Sequence, residues 1–298
     1  MKESDEIIVE EWVKARKLID TKLQPVITEI GDAATQEILA YIAEGGKRFR
    51  GFLTLTMAQA LGGTIEEAID AAISIELVHS ASLALDDMAD MDTIRRGKPS
   101  AWIAYSTSKT ALASLLLIAV AQRRVERYGF EAIKRVIRAW EDTVKGEILD
   151  AFKYNTLDKT SYIKIIELKT ASLFRLASEL GALASPSKTQ YLENASRYGT
   201  LLGIIYQITD DMVDYIQHTK TGRQLDPTEQ LYYQWINPTD GDLIIKTKNI
   251  LEKLIQDAKK EIQNLENTKH KEILLQLPEF ISRKMIEESG INKHATLP

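Results

Sequence analysis

The chain has 298 residues, and its 38 basic against 43 acidic side chains give a formal net charge of −5. A 44% hydrophobic content over that length can fill a sizeable core in one large domain or two ordinary ones, which excludes extended disorder. The acidic balance argues against a surface that tracks nucleic-acid phosphates, and the absence of cysteine removes disulfides, thiolate zinc sites and cysteine nucleophiles while fitting a reducing, cytoplasmic setting.

The first residues, among them Glu6-Ile7-Ile8-Val9-Glu10-Glu11-Trp12, read as an acidic amphipathic helix over 5–22 and lack the basic start and apolar stretch of a secretory leader. Helices are next predicted over 32–44, 50–62 and 64–93, with a break at Gly62-Gly63 and an end at Arg96-Gly97-Lys98-Pro99. Within the third, Ile65, Ile69, Ala72, Ile73 and Leu77 recur at three- and four-residue spacing. Helices over 107–128, 130–156 and 158–184 follow, the second carrying the apolar stripe Val136, Trp140, Val144 and Ile148. The run from Ala111 to Ala121 is interrupted by Ser114 and falls short of the roughly 18 apolar residues that a spanning helix needs, so no integral membrane segment is expected. Ser185-Pro186 precedes a helix over 187–217, Asn237-Pro238 separates 226–236 from 241–264, and the last helix covers 268–286. Nothing alternates with a period of two and nothing repeats, so the fold class is all-α. The chain reads as one helical domain over 1–298, with a tail that frays from about residue 287.

Two of these helices hold the same acidic pattern. Asp86, Asp87 and Asp90 form D-D-x-x-D, as do Asp210, Asp211 and Asp214. The first and last members of each stand at i and i+4, one turn apart on one helix face, where like charges repel. A solitary motif of this kind could be a solvated acidic helix end. Two of them, each flanked by Leu, Ile, Met and Val, point instead to hard oxygen ligands for a divalent cation such as Mg²⁺, which keeps places for water and phosphate oxygens. The four histidines include no i,i+4 pair that would offer a competing metal site.

Basic residues accompany the acids. Gly45-Gly46-Lys47-Arg48-Phe49-Arg50 lies upstream of the first cluster, Arg95-Arg96-Gly97-Lys98 follows it, and Lys169-Thr170 falls in another apolar helix. Arg and Lys complement phosphate oxygens, and glycines allow backbone N–H groups to approach an anion. The combination describes a diphosphate held by cations on one side and by Lys and Arg on the other. It does not say which bond breaks.

In its motifs the sequence resembles the trans-isoprenyl diphosphate synthases. Gly45 to Arg50 resembles G-G-K-R-x-R; Glu76-Leu77-Val78-His79-Ser80-Ala81-Ser82 leads into Asp86 to Asp90 and then Arg95-Arg96-Gly97; Lys169-Thr170-Ala171-Ser172-Leu173-Phe174 is similar to K-T-x-x-L-F; and Tyr206-Gln207 precedes the second acidic motif. The resemblance implies an isoprenoid synthase type helical bundle around a central cavity, a homodimer, and a prenyltransferase that joins isopentenyl diphosphate to an allylic prenyl diphosphate. By the same resemblance, Asp86, Asp87 and Asp90, with Asp210, Asp211 and Asp214, would share a set of about three Mg²⁺. Lys47, Arg50, His79 and Arg96 would hold the isopentenyl diphosphate, Arg95 and Lys169 the allylic one, and Thr170 and Gln207 would place oxygens near the allylic cation. Leu85 stands where the family often has His, and His218 where it has an aspartate, which leaves Lys220 or Arg223 as the late basic ligand. The segment before Asp86 and the shortened C-terminal region are similar to archaeal hexaprenyl diphosphate synthases, implying a C30 product.

Ala81 and Ser82 stand five and four residues before Asp86, about 5.4 Å or one turn below it. In the family a bulky aromatic there gives short products, so two small residues imply an open path, although they would also permit close helix packing. Trp140 is the candidate floor of that path or an ordinary core tryptophan, and Leu168 and Met91 are further candidates. Geranylgeranyl or farnesylgeranyl diphosphate synthase, a class I terpene cyclase and a non-catalytic partner subunit are the alternatives. The complete second D-D-x-x-D and Gly45–Arg50 count against the cyclase, and the intact aspartates against the silent subunit.

Overall fold

The computed structural model describes residues 3–152, 161–187, 189–222, 225, 227–238 and 242–290. In chain order the helices are α1 (Glu3–Thr28), α2 (Ala33–Ala43), α3 (Phe49–Ala60), α4 (Ile65–Ala89), α5 (Ala101–Tyr105), α6 (Thr107–Val125), α7 (Phe130–Phe152), α8 (Ser161–Ile166), α9 (Ser172–Leu183), α10 (Leu192–Thr221), α11 (Pro227–Ile236), α12 (Leu243–Ile262) and α13 (Lys269–Glu288). A two-residue antiparallel ladder joins β1 (Ile94–Arg95) to β2 (Lys98–Pro99). The all-α expectation holds, with this small hairpin as the one element of sheet among the described residues.

Local chemistry sets the helix ends. Thr64 and Glu67 form a reciprocal capping box at the start of α4, the Thr64 N–H donating to Glu67 Oε2 at 2.8 Å. At its other end Met91 takes a left-handed φ of 59°, stopping the helix at Ala89, four residues short of the expected 93. Pro25 does not end α1 at residue 22 as expected. The helix carries it inside its last turn and runs on to Thr28.

Packing is organised around α9, which is buried along its whole length. It lies against α3, α4, α7 and α10. Glycine makes the closest approaches possible: a Cβ on Gly181 would stand 2.5 Å from the Thr54 carbonyl oxygen of α3. Helix α4 is apolar and long enough to cross a membrane by composition, but 67% of that stretch is buried inside the protein, as befits a core helix.

The continuous helix expected over 158–184 is interrupted. Glu167–Ala171 forms a single π-helical turn between α8 and α9, and residues 153–160 of that expectation and of the one before it lie outside the described residues. The wider turn sits between two bare helix surfaces. A Cβ on Gly146 of α7 would lie 2.4 Å from the Lys169 nitrogen, and one on Gly203 of α10 would lie 2.5 Å from Ala171 Cα. Backbone on both sides leaves no flexible atom to yield. Gly146→Ala and Gly203→Ala should each therefore cost about 1–3 kcal/mol, read as a lower urea midpoint. An unchanged midpoint for both would mean that the turn is not clamped there.

Candidate functional site

Between α4 and α10 lies a cavity of about 610 Å³, closed at one side by α13 and at another by the π turn. The loop before α3 brings Lys47 to it and the first turn of α3 brings Arg50, α4 brings His79, Ser82 and Asp86, the hairpin Arg95 and Arg96, the π turn Lys169 and Thr170, and α10 Gln207 and Asp210. All of these are residues that the sequence singles out.

Only one aspartate of each adjacent pair lines the cavity, because neighbouring residues on a helix cannot share a face. Asp86 faces it. Asp87 is buried, and Arg95 binds it, with Nε donating at 2.7 Å. Burial raises the Asp87 pKa and Arg95 opposes the rise. Asp90 caps α4, its N–H donating to the Asp86 carbonyl at 2.9 Å. On α10 Asp210 lines the cavity, and burial, followed by the nearby charge of Asp214, pushes its pKa up to about 7 against the pull of Lys47. Asp211 is buried, accepts from the Tyr162 hydroxyl and from Gln207 Nε2 (2.9 Å), and is raised by burial to about 8. Asp87 and Asp211, both expected as metal ligands, are thus committed to protein donors in this structure.

Lys169 sits where three carboxylates converge, 3.3 Å from Asp86 Oδ1, 2.8 Å from Glu147 Oε2 and 2.9 Å from Asp150 Oδ2. Burial alone would lower its pKa, but these acids hold it above its usual range. Glu147 is pushed up to about 8 by burial, with Lys169 opposing and Asp86 adding to the rise. Glu147 and Asp150 escape the sequence reading: their only signal is i,i+3 spacing on one face of α7. Beside Lys169, Thr170 donates to Gln207 Oε1 at 2.7 Å, so Thr170, Gln207, Asp211 and Tyr162 form one hydrogen-bonded row.

The basic wall divides by function. Arg50 lies over the Phe174 ring, 4.5 Å from its centroid, and donates to His79 Nε2 at 3.0 Å. Burial and then the Arg50 charge hold His79 well below its ordinary pKa, so it is a neutral acceptor. The Arg96 guanidinium packs on Gly46, where a Cβ would come within 2.8 Å, and donates to the Glu44 carbonyl. Lys47 pairs with Glu288 at 2.8 Å. Arg48, in the middle of the same motif, is a structural residue: it is buried in a left-handed conformation (φ 51°) and donates to Asp20 at 2.8 Å and to the Ala43 carbonyl at 2.6 Å.

Other expectations fall elsewhere. Ser82 is on the cavity wall, whereas Ala81 is wholly buried in packed core. Trp140 and Leu168 are partly buried and do not line the cavity, and Met91 is exposed. Lys220 is exposed on α10 away from the cavity, and Arg223 lies outside the described residues. Helix α13 runs to Glu288, which reaches the cavity. Residues 291–298 lie outside the described residues.

Asp86 and Asp210 offer hard oxygens to one space, and Asp210 is short of countercharge there, which suits Mg²⁺. Among the described residues no three acids or histidines converge into a preformed cage. The arrangement sets aspartate oxygens against Lys and Arg side chains across one cavity, a donor set suited to an anionic ligand.

The sequence pattern of the family described as polyprenyl synthetase matches residues 32–267. The hexaprenyl pyrophosphate synthase of Saccharolobus solfataricus is 35% identical, over 96% of this chain and 99% of that protein. The geranylfarnesyl diphosphate synthase of Methanosarcina mazei is 28% identical, over 94% and 95% respectively. Among solved structures, the geranylgeranyl pyrophosphate synthetase of Pyrococcus horikoshii superposes with a TM-score of 0.81 at 26% identity, covering 93% of this chain and 98% of that one.

The raised carboxyl pKa values have a measurable consequence. A carboxyl whose pKa is higher folded than unfolded weakens the fold above the folded value, and the penalty lifts as pH falls toward the unfolded value near 4. In chelator, the melting temperature should accordingly rise by on the order of a few degrees between pH 8 and pH 5.5. Asp210→Asn should reduce that rise and saturating Mg²⁺ should flatten it. A melting temperature that falls steadily over this window would contradict the assignment.

Proposed function

Because the chain belongs to the polyprenyl synthetase family and is a prenyl diphosphate synthase, we propose that it extends an allylic prenyl diphosphate with isopentenyl diphosphate to an all-trans product of hexaprenyl (C30) length. One observation carries the site assignment: Asp86 and Asp210, from different helices, share a cavity with Lys47, Arg50, Arg96 and Lys169. Cationic and acidic side chains gathered around one cavity are a poor design for folding and a good one for a diphosphate.

In this reading Lys169 and Arg95 orient the allylic diphosphate, while Lys47, Arg50, Arg96 and neutral His79 hold the isopentenyl diphosphate. Mg²⁺, on which the family depends, would be held by Asp86 and Asp210 with Asp90 and Asp214 one turn away, and would supply Lewis-acid charge to the departing diphosphate. The allylic C–O bond breaks and diphosphate leaves with the electron pair. The isopentenyl double bond gives its pair to the allylic carbon, forming the new C–C bond. The resulting tertiary cation loses a proton to the departed diphosphate, and the double bond forms again. Thr170 and Gln207 contribute oxygen dipoles beside the allylic carbon, in an orientation fixed by their mutual hydrogen bond. No protein nucleophile takes part.

Product length is the finer part of the proposal. It is supported by the small Ser82 below Asp86 and by the likeness to the Saccharolobus solfataricus hexaprenyl synthase; the Methanosarcina mazei geranylfarnesyl synthase favours a shorter product as the second reading. A homodimer belongs to the same reading. Leu112 and Leu115 of α6 and Ile137, Val144 and Ile148 of α7 are exposed apolar side chains on adjacent helices, a surface that a second copy would cover.

Sizing the products made with Mg²⁺, labelled isopentenyl diphosphate and primers of several lengths tests the activity and its product directly. Asp86→Ala and Asp210→Ala should each lower turnover by about two to four powers of ten with helicity retained. Near-normal turnover in either would reject the shared cation site. Ser82→Phe places a ring in the cavity and should shorten the products while the first condensations persist. Ala81→Phe overpacks the core and should chiefly lower stability, by about 1–3 kcal/mol. Unchanged chain length in an active Ser82→Phe enzyme would mean that the growing chain takes another route.

A further inference from the structure

The mouth of the cavity holds a carboxylate that the reaction does not call for. Glu288, in the last turn of α13, accepts a charge-assisted hydrogen bond from Lys47 at 2.8 Å, and its other oxygen lies 3.6 Å from Lys284 Nζ. Both lysines and Glu288 line the cavity. An acid at a helix C-terminus opposes the helix dipole, which favours cations there, so the two lysines are what recommend Glu288 to this position. Burial alone would raise its pKa, yet Lys47 and Lys284 hold it below the usual carboxylate range.

The surroundings are rigid where the pair is not. Trp12 of α1 donates from Nε1 to the Lys47 carbonyl at 2.6 Å and meets Phe49 of α3 and Phe280 of α13 edge-on, with ring centroids 5.6 and 6.5 Å away. Backbone and helix are thereby fixed with respect to each other. The Lys47 side chain is 63% exposed and that of Glu288 44%, so the ion pair itself is free to open into the cavity.

We infer that Glu288 is a built-in occupant of the diphosphate seat on Lys47, displaced when isopentenyl diphosphate arrives, and that Lys284, released at the same moment, becomes a second lysine contact for that diphosphate. The inference rests on the isopentenyl assignment of Lys47 made above. A diphosphate carries more charge than one carboxylate and presents more acceptor oxygens to the same two ammonium groups, so the exchange runs toward substrate. The carboxylate keeps two lysines from facing each other without an anion and sets a threshold that a weaker anion does not cross.

The measurement is steady-state kinetics with isopentenyl diphosphate varied at saturating primer, together with calorimetric binding of isopentenyl diphosphate alone, which cannot turn over. Glu288→Gln keeps the side chain's size and removes its charge. It should lower the KM and Kd for isopentenyl diphosphate about two- to fivefold, the range expected for removing an exposed ion-pair competitor, and leave the primer's KM where it is. Lys284→Gln should raise the KM for isopentenyl diphosphate. An unchanged or higher isopentenyl KM in Glu288→Gln overturns the proposal. So does a lower melting temperature with equal loss for both substrates, which would make Glu288 a strut for α13. If the unaltered enzyme forms no product from any primer, the functional reading fails instead, and calorimetry with inorganic diphosphate still tests the seat: tighter binding by Glu288→Gln supports it and unchanged binding overturns it.

Discussion

Charge taken out of water must be compensated, and that requirement governs how this bundle is put together. The aspartates of α4 and α10 stand on helices that are otherwise apolar, so every one drawn inward must find a donor. Asp87 finds Arg95, Asp211 finds Tyr162 and Gln207, and Asp86 finds Lys169. The elements that supply those donors are a hairpin, a short helix, α10 itself and the π turn. Asp210 has the least compensation of the inward-facing pair, and its elevated pKa marks the point where an exogenous cation completes the arrangement.

Lys169 shows how a backbone irregularity serves that chemistry. In a regular helix it would follow the register of Ile165 and Ile166, which are buried in core. The π turn adds a residue to the circuit and swings Lys169 and Thr170 toward α4 and α10, as such turns often do at functional sites. Gly146 and Gly203 make the space on either side. Nothing in the local pattern announces the turn, because the composition from Ser161 to Leu183 is that of an ordinary helix. Its placement is a tertiary property, set by two glycines far away in the chain.

Much of the rest is legible from the residues. Proline and glycine punctuation with three- and four-residue spacing marks most helices to within a few positions, and the doubled D-D-x-x-D marks the cavity walls. What the pattern cannot separate is the two sides of a motif. Arg48 and Arg50 are two residues apart in one basic run and both border the cavity, yet Arg48 commits its guanidinium to Asp20 and the Ala43 carbonyl while Arg50 lies over Phe174 and meets His79. Ala81 and Ser82 divide between core and cavity. Such divisions follow from which helix lies against which, and a single sequence read along its length contains no partner to point at. Glu147 and Glu288 are illegible for the same reason: each meets at the cavity a lysine at least 22 positions away that the fold brings beside it.

The two ends of the described chain meet at the mouth of the cavity. Trp12 packs on Phe280, Lys269 reaches Glu11, and Arg283 binds Asp5. During synthesis the aspartate helices emerge early and α13 emerges late, so the charged enclosure stays open on one side until Glu288 has left the ribosome. A nascent chain arrested before that point leaves this side of its cavity wall uncovered, with the loop that carries Lys47 lacking the Phe280 part of the aromatic brace around Trp12. The wall that α13 supplies is therefore the last part of the cavity to be made.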